Sequence, residues 1–324
     1  MKFTRFITIA ALMISLRSQL YADPISELTS FSAFKSVDRR KLIEGEALTV
    51  HLPAMKFARG LSTQFCYLVP ASLQKTVELH EYWNATQHPE LKVYMHGAIS
   101  PKPLLANFIK VGRAPDNDST RALFSANQKL ESGQMSKIEA TFLKPGTNLG
   151  NFWSDLLWRR AGAFASDGLS QEPPYAFNGE TIRVTGEIEQ LLNEQPKIRD
   201  QFKSLVESLS QMPPVRQMYW ELADVEGTAA FSLGALCAKD PTDTWQAIDL
   251  HYYASGGYFV MMTFYQMWPI VIGAEHGTLV WRCDLLSAPS VADLHGVERL
   301  ASDNAMAKEI HQTIDIFLKD ARVK

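Results

Sequence analysis

The sequence predicts an α+β fold: an antiparallel β-meander packed on a long C-terminal helix, with a helical insertion at about residues 102–215. Three observations point there. Consecutive segments after Tyr219 alternate with period two, as in "TAAFSLGALCA" and "GTLVWRCDLLS", which is the signature of paired strands with two distinct faces. The turns between them are short and rich in Gly, Pro and Asp. The final stretch, "SDNAMAKEIHQTIDIFLKDA", has helical spacing instead, with Met306, Ile310, Ile314 and Phe317 on one face.

The 324-residue chain opens with Lys2 and Arg5 ahead of an eleven-residue apolar stretch, Phe6 to Leu16, and a small residue at Ala22. That run falls short of the roughly 20 residues a spanning helix needs, and the pattern is that of a secretory signal peptide over residues 1–22. Arg17 and Leu20 are unusual for one. The expected product is exported, periplasmic or extracellular, as a single domain over 23–324. Removing Lys2, Arg5 and Arg17 leaves 29 basic against 35 acidic residues. No basic patch stands out, so nucleic acid is a poor partner.

Residues 23–40 read as a weakly structured lead-in. Two strand-like pieces follow, the second being "STQFCYLV", which Pro70 ends. Ser72 can cap a helix through "LQKTVELHEYW". Between 102 and 215 five stretches have helical patterns: "PLLANFIK", "DSTRALFSANQKLE", "MSKIEATFLKPG", "NFWSDLLWRRAGAFAS" and "VTGEIEQLLNEQPKIRDQFKSLVESLSQ". Asp118 or Ser119 can cap the second, Pro145-Gly146 ends the third, and Pro196 starts a new helix inside the fifth. Polar enough for a surface layer, this region is followed by five strand candidates, "MYWELADVEG", "TAAFSLGALCA", "TWQAIDLHYYA", "GYFVMMTFYQMW" and "GTLVWRCDLLS". The run "HYYASGGYFVMMTFYQMWPIVIG" is too broken by "SGG", Gln266 and Pro269 to cross a membrane, and reads as a strand pair. Tyr258 to Trp268, apolar on both faces, is the central strand, covered by helices on one side and by a cavity or core on the other. Ser302 or Asp303 can cap the last helix.

This order of elements resembles the helix-grip fold of START-like lipid-binding and polyketide-cyclase-like proteins. The stretches that carry it are "LSTQFCYLVPASLQKTVELHEYW" and Tyr219 to Ala321, about half of the exported chain. The resemblance implies a curved sheet around the last helix, an apolar cavity between them, and Trp281 and Phe317 in that one compartment. The long helical middle departs from the family pattern, and no residue-level motif transfers.

Chemistry-bearing motifs are absent. The eight histidines are scattered, with no HExxH or CxxC, so no metal site is expected. G-x-S-x-G and the glycine-rich phosphate loops do not occur, and no cofactor is implied. Cys66, Cys237 and Cys283 sit in apolar segments and read as buried thiols, the alternative being one disulfide and a free thiol. Asp249 and His251, two apart on a strand, share a face, with Tyr253 as a possible third member. They form either a general base oriented by a carboxylate or a solvated face opposite Ile248, Leu250 and Tyr252. Trp220, Tyr252, Tyr258, Phe264, Trp268 and Trp281 are candidate ligand-binding residues, or simply sheet core. Three functions are thus in view. The first is non-catalytic binding of a hydrophobic small molecule or lipid between sheet and helix. The second is a secreted or periplasmic hydrolase-type enzyme using Asp249 and His251. The third is an envelope interaction module exposing Trp153 and Trp158 of "FWSDLLWRR".

Overall fold

The structure, a computed structural model, describes residues 23–50, 52–128, 134–211, 213–241 and 243–323. The expected leader, 1–22, lies outside the described residues. In chain order, α1 (Pro24–Phe31) and α2 (Arg39–Glu44) precede β1 (Leu48–Val50), β2 (Gly60–Val69), α3 (Leu73–Tyr82) and β3 (Val93–Ile99). The insertion holds α4 (Asp118–Gln128), α5 (Lys137–Ala140), α6 (Leu149–Asp167), a hairpin of β4 (Tyr175–Phe177) and β5 (Glu180–Ile182), then α7 (Val184–Asn193), α8 (Pro196–Gln201) and α9 (Lys203–Ser208). Last come β6 (Val215–Val225), β7 (Thr228–Ala238), β8 (Trp245–Ala254), β9 (Val260–Ile272), β10 (Glu275–Ser287) and α10 (Gly296–Val323).

The five expected strands of the meander all form, each pairing antiparallel with the next. β2 and β1 extend the sheet beyond β10, and β3 adds to β6, giving the order β1-β2-β10-β9-β8-β7-β6-β3. The apolar run 251–273 forms the end of β8 and all of β9, a strand pair at the centre of this sheet. Among the described residues no helix is long and apolar enough to cross a membrane.

The sheet is covered on both faces, and the two covers are made of different parts of the chain. On one face α3 and α10 bury Phe65, Tyr67, Val69, Trp245, Tyr265, Met267 and Val280 against Val77, Ile314, Phe317 and Leu318. On the other face α1 and the insertion bury the larger core, which includes Trp220, Ile248, Leu250, Phe264, Trp268, Trp281 and Leu285. Strict alternation separates them: Val280 faces α10 and Trp281 faces the insertion. Trp281 and Phe317 therefore lie in different compartments, contrary to the helix-grip expectation. The space between sheet and C-terminal helix is occupied by the side chains just named, and the insertion, expected as a surface layer, supplies a large part of the core on the other face.

Several local expectations need correction. The lead-in is helical, because Ile25, Leu28 and Phe31 repeat every three residues and all are buried. The ring of Phe31 meets Trp281 edge-on at 4.8 Å, and Trp268 Nε1 donates to Glu27 at 2.9 Å. β3 and the β4–β5 hairpin were not expected, although Asn178 (φ 47°) and Gly179 (φ 83°) form the kind of turn that suits a two-residue hairpin. "PLLANFIK" is a short 3-10 segment, Leu105–Phe108, and "MSKIEATFLKPG" holds only the four-residue α5, closed by a capping box between Ser136 and Glu139. Asn117 caps α4 in place of Asp118 or Ser119, accepting from the Thr120 amide at 2.9 Å. Ser72 and Pro196 start their helices as expected.

The last helix begins at Gly296, so Ser302 and Asp303 are interior and cap nothing. Its first turn is fastened by the buried Arg299, which donates to the carbonyls of Ala58 and Val291 at 2.5 and 3.0 Å and to that of Gly60. Polar fastening of this kind leaves no trace in hydrophobic periodicity.

One buried cluster ties the insertion to the sheet. Arg160 of α6, fully enclosed, makes two bonds of 2.7 Å to Glu139 and one of 3.4 Å to Glu172, and lies 4.2 Å over the ring of Tyr253. Glu139 already balances the guanidinium, and burial pushes the Glu172 carboxyl up to about 8 against the pull of Arg160. Because that value exceeds the unfolded one, the native state holds the proton more tightly. The resulting stability is complete below about pH 4.5 and is lost as pH rises through about 8. Glu172→Gln is expected to flatten this alkaline loss in urea denaturation measured across that range.

Candidate functional site

The structure sorts the sequence candidates into two groups. Trp220, Tyr252, Phe264, Trp268 and Trp281 all stand on the insertion face, inside the main core. Trp220 lies across Gly97 and donates to the Asn107 carbonyl at 2.9 Å. Tyr252 stacks on Phe164 at 4.0 Å, and Phe264 meets Phe202 edge-on at 5.1 Å. Cys66, Cys237 and Cys283 are buried in the same core without disulfides, and burial pushes the Cys237 thiol up to about 12. These aromatics pack against protein on this face.

Asp249 and His251 stand on the opposite face, with Trp245 and Ala247. A bulge explains why Tyr253 does not join them. His251 pairs with Gly234 but Tyr253 pairs with Leu233, so Tyr252 is an extra residue on β8. Tyr252 and Tyr253 both turn to the insertion side. Tyr219 of β6 takes the place that Tyr253 was expected to fill. Its hydroxyl donates to Asp249 Oδ1 at 2.7 Å and lies 2.9 Å from His251 Nε2, while His251 Nδ1 lies 2.7 Å from the Tyr258 hydroxyl. With Tyr219 donating to Asp249, it accepts from His251 Nε2–H, and Tyr258 donates to Nδ1. Of the six ligand-binding candidates, Tyr258 is thus the one on this face.

Gly234 makes the chain possible. It lies between Tyr219 and His251 in the register, and a Cβ there would stand 2.2 Å from Tyr219 Cζ. Only a residue without a side chain lets the tyrosine ring lie flat across β7 and reach Asp249 on β8. His96 of β3 stacks on the outer side of that ring at 5.4 Å and binds Glu221 at 3.1 Å. Burial pushes the Tyr219 hydroxyl well above its ordinary range, with Asp249 adding to the effect, so it is a neutral donor. Burial also raises the Asp249 carboxyl, although His251 and the Tyr219 hydroxyl oppose this.

Toward α10 the same face continues as buried polar pairs. Arg282 makes two bonds of 2.7 and 2.8 Å to Asp284, which also accepts from Thr263 at 2.8 Å. His80 of α3 meets the Tyr265 ring edge-on at 4.2 Å, and burial, helped by Arg282, brings its imidazole down to about 3. At neutral pH His80 is an uncharged aromatic contact. Among the described residues no group of three or more His, Cys, Asp or Glu could hold a metal ion.

A groove of about 560 Å³ opens beside Tyr219. Tyr82, Trp83 and Asn84 at the end of α3 form one wall; Phe164 and Ala165 of α6 with Pro213 form the other. His96, Ala98, Met218 and Tyr219 make its floor, and the β3 chain leaves it at Pro101. Trp83 is held by a 2.8 Å bond to Asp320 of α10, which also meets His88 at 2.9 Å. Arg216 at the rim is paired with Glu81 and, at 2.6 Å, with Asp240. Sequence reasoning missed this groove because its residues come from five separate parts of the chain, of which β3 and the pair Gln211 and Pro213 gave no periodic signal.

No protein-family profile and no curated protein matches the chain. Among solved structures, the crystal structure of Ara h 8.0201 is 12% identical and covers 39% of this chain and 82% of that one, with a TM-score of 0.24. A likeness that slight carries no argument about ligand or activity.

Gly234→Ala is expected to push Tyr219 off Asp249 and His251 and to cost about 1–3 kcal/mol by overpacking. On a Tyr219→Ala background the same substitution should cost far less, because the clash is gone. Chemical denaturation of the two single variants and the double variant gives the coupling.

Proposed function

We propose that the protein binds an amphipathic small molecule, non-catalytically, in the groove between α3, α6 and the β3–β6 edge. One observation carries this reading: a concavity of about 560 Å³ whose mainly apolar walls include the Tyr219 ring and are edged by the polar side chains of His96, Arg216 and Gln217. Volumes of this order, apolar walls and a few fixed polar groups are the general features of small-molecule sites. The ligand's apolar body would lie against Trp83, Phe164 and Met218, with its polar end toward His96 and Gln217.

The hydrophobic-ligand expectation is kept, but its place moves from the sheet–helix interface to the sheet's edge. A helix-grip relationship is part of the proposal. It is supported by the meander followed by a long helix, and the second layer of helices counts against it. Export after loss of residues 1–22 also belongs to this reading and rests on the sequence pattern alone.

The enzyme alternative receives partial support, since Asp249 and His251 do share one hydrogen-bonded chain. That chain is closed, however. Both nitrogens of His251 are engaged by tyrosine hydroxyls, so neither is free to take a proton from a substrate.

The test uses 1-anilinonaphthalene-8-sulfonate as an amphipathic probe, read by its fluorescence. Ala98→Trp and Ala165→Trp fill the groove from exposed positions and are expected to weaken binding at least roughly tenfold, about 1.4 kcal/mol. Phe264→Leu, in the core under the insertion and outside the groove lining, should lower stability and leave affinity unchanged. Unchanged affinity in both tryptophan variants would remove the groove from consideration.

A further inference from the structure

Beyond the groove, the insertion carries a surface that binding a small molecule does not use. Of the twelve large apolar side chains that stand exposed among the described residues, Leu104 (58%), Leu105 (50%), Ile109 (69%), Ile138 (72%) and Phe142 (59%) fall on just two short segments. Both segments brace the same helix. Residues 103–112 run along α6: Trp158 Nε1 donates to the Pro103 carbonyl at 3.1 Å, Ser154 Oγ to the Phe108 carbonyl at 3.0 Å, and Gly112 abuts Gly150. α5 is held to α6 by Glu139 and Arg160. Phe108 and Val111 anchor the first segment in the core, so Leu104, Leu105 and Ile109 are turned outward on a fixed scaffold.

The charges around these side chains have one sign. Residues 100–115 contain Lys102, Lys110 and Arg113 and no acidic residue, in a chain whose net charge is −3. All three cations are exposed, and none takes part in an ion pair among the described residues. Residues 137–144, which begin with α5, repeat the composition with Lys137 and Lys144 beside Ile138 and Phe142, their one carboxylate, Glu139, being spent on Arg160. Outward apolar side chains ringed by unpaired lysine and arginine suit an interface where hydrocarbon lies just beneath a negative surface. A hydrophobic protein partner would not require the cations, and a nucleic acid would not require the leucines.

We propose that residues 102–113, assisted by α5, form a docking face for an anionic lipid bilayer, with Leu104, Leu105 and Ile109 entering the acyl boundary and Lys102, Lys110 and Arg113 meeting lipid phosphates. This replaces the envelope-contact surface expected from "FWSDLLWRR". Trp153 is fully buried and donates to Asn127, and Trp158 is half-buried against Pro103, so that helix is the scaffold and its neighbours make the contact.

Flotation of the purified full chain with phosphatidylcholine vesicles, with and without phosphatidylglycerol, tests the proposal. Binding is expected to the vesicles containing phosphatidylglycerol and to weaken as salt is raised. The pair Leu104→Asp, Ile109→Asp and the pair Lys110→Glu, Arg113→Glu should each reduce it at least roughly tenfold. Ala98→Trp, which fills the groove, should leave it unchanged, so this face and the groove fail or stand separately. No flotation of the wild type, or flotation that both pairs leave intact, would overturn the proposal. So would self-association relieved by Leu104→Asp, Ile109→Asp without flotation, which would assign the face to a protein partner.

Discussion

The meander is apolar on both of its faces, and the rest of the architecture answers to that. A sheet whose strands read Leu279-Val280-Trp281 and Met262 to Trp268 with scarcely an interruption cannot leave either side in water. Two covers are needed, and the chain makes them from unrelated parts. α3 and α10 close one face, while α1 and a hundred-residue excursion between β3 and β6 close the other. The excursion is therefore a structural layer, and the large aromatics beneath it are its contact surface. A Trp281 that packs on Phe31 and Phe202 is not free to line a ligand cavity.

Polar groups in such a sheet have to be satisfied inside the protein, and they are gathered where strands bring them level. Asp249, Thr263 and Asp284 share one register row across β8, β9 and β10, and each has a partner within 2.8 Å. Tyr219 joins the row by crossing β7 over Gly234. The face with the smaller cover thus holds the Asp249–Thr263–Asp284 row, while the face under the insertion is mainly apolar, with the Arg160 cluster and the Gln246–Gln266–Gln201 bonds as its polar exceptions. An unmade hydrogen bond in either place is costly, which is why the missing side chain at Gly234 matters as much as the groups it lets meet.

How much of this was legible follows from what periodicity can record. Strands β6 to β10 and the turns between them were readable because alternation and Gly-Pro-Asp punctuation are local. The face assignment was not, since Trp281 and Val280 are equally apolar and only the covers tell them apart. The same limit hid the site. Asp249 and His251 could be placed on one face, but the bulge at Tyr252 exchanged Tyr253 for Tyr219, thirty residues away, and no local pattern announces an extra residue in a strand. The start of α10 was misplaced for a related reason, as Arg299 is buried by carbonyls from the β1–β2 connection and from Val291, contacts that hydrophobic spacing does not encode.

The position of the groove follows from where the two covers end. α3 stops at Tyr82, before it reaches β3, and α6 stops at Asp167 on the other side. Between these ends the β3–β6 edge has no helix over it, so Trp83 and Phe164, each fixed by its own layer, face each other across Ala98 and Met218. A cavity at the centre of the sheet would have to displace packed aromatics, whereas one at the edge requires only that neither cover extend a further turn. A molecule bound in the proposed groove would lie where both layers meet solvent, and Pro101, which closes the groove, hands the chain directly to the cationic segment that begins at Lys102.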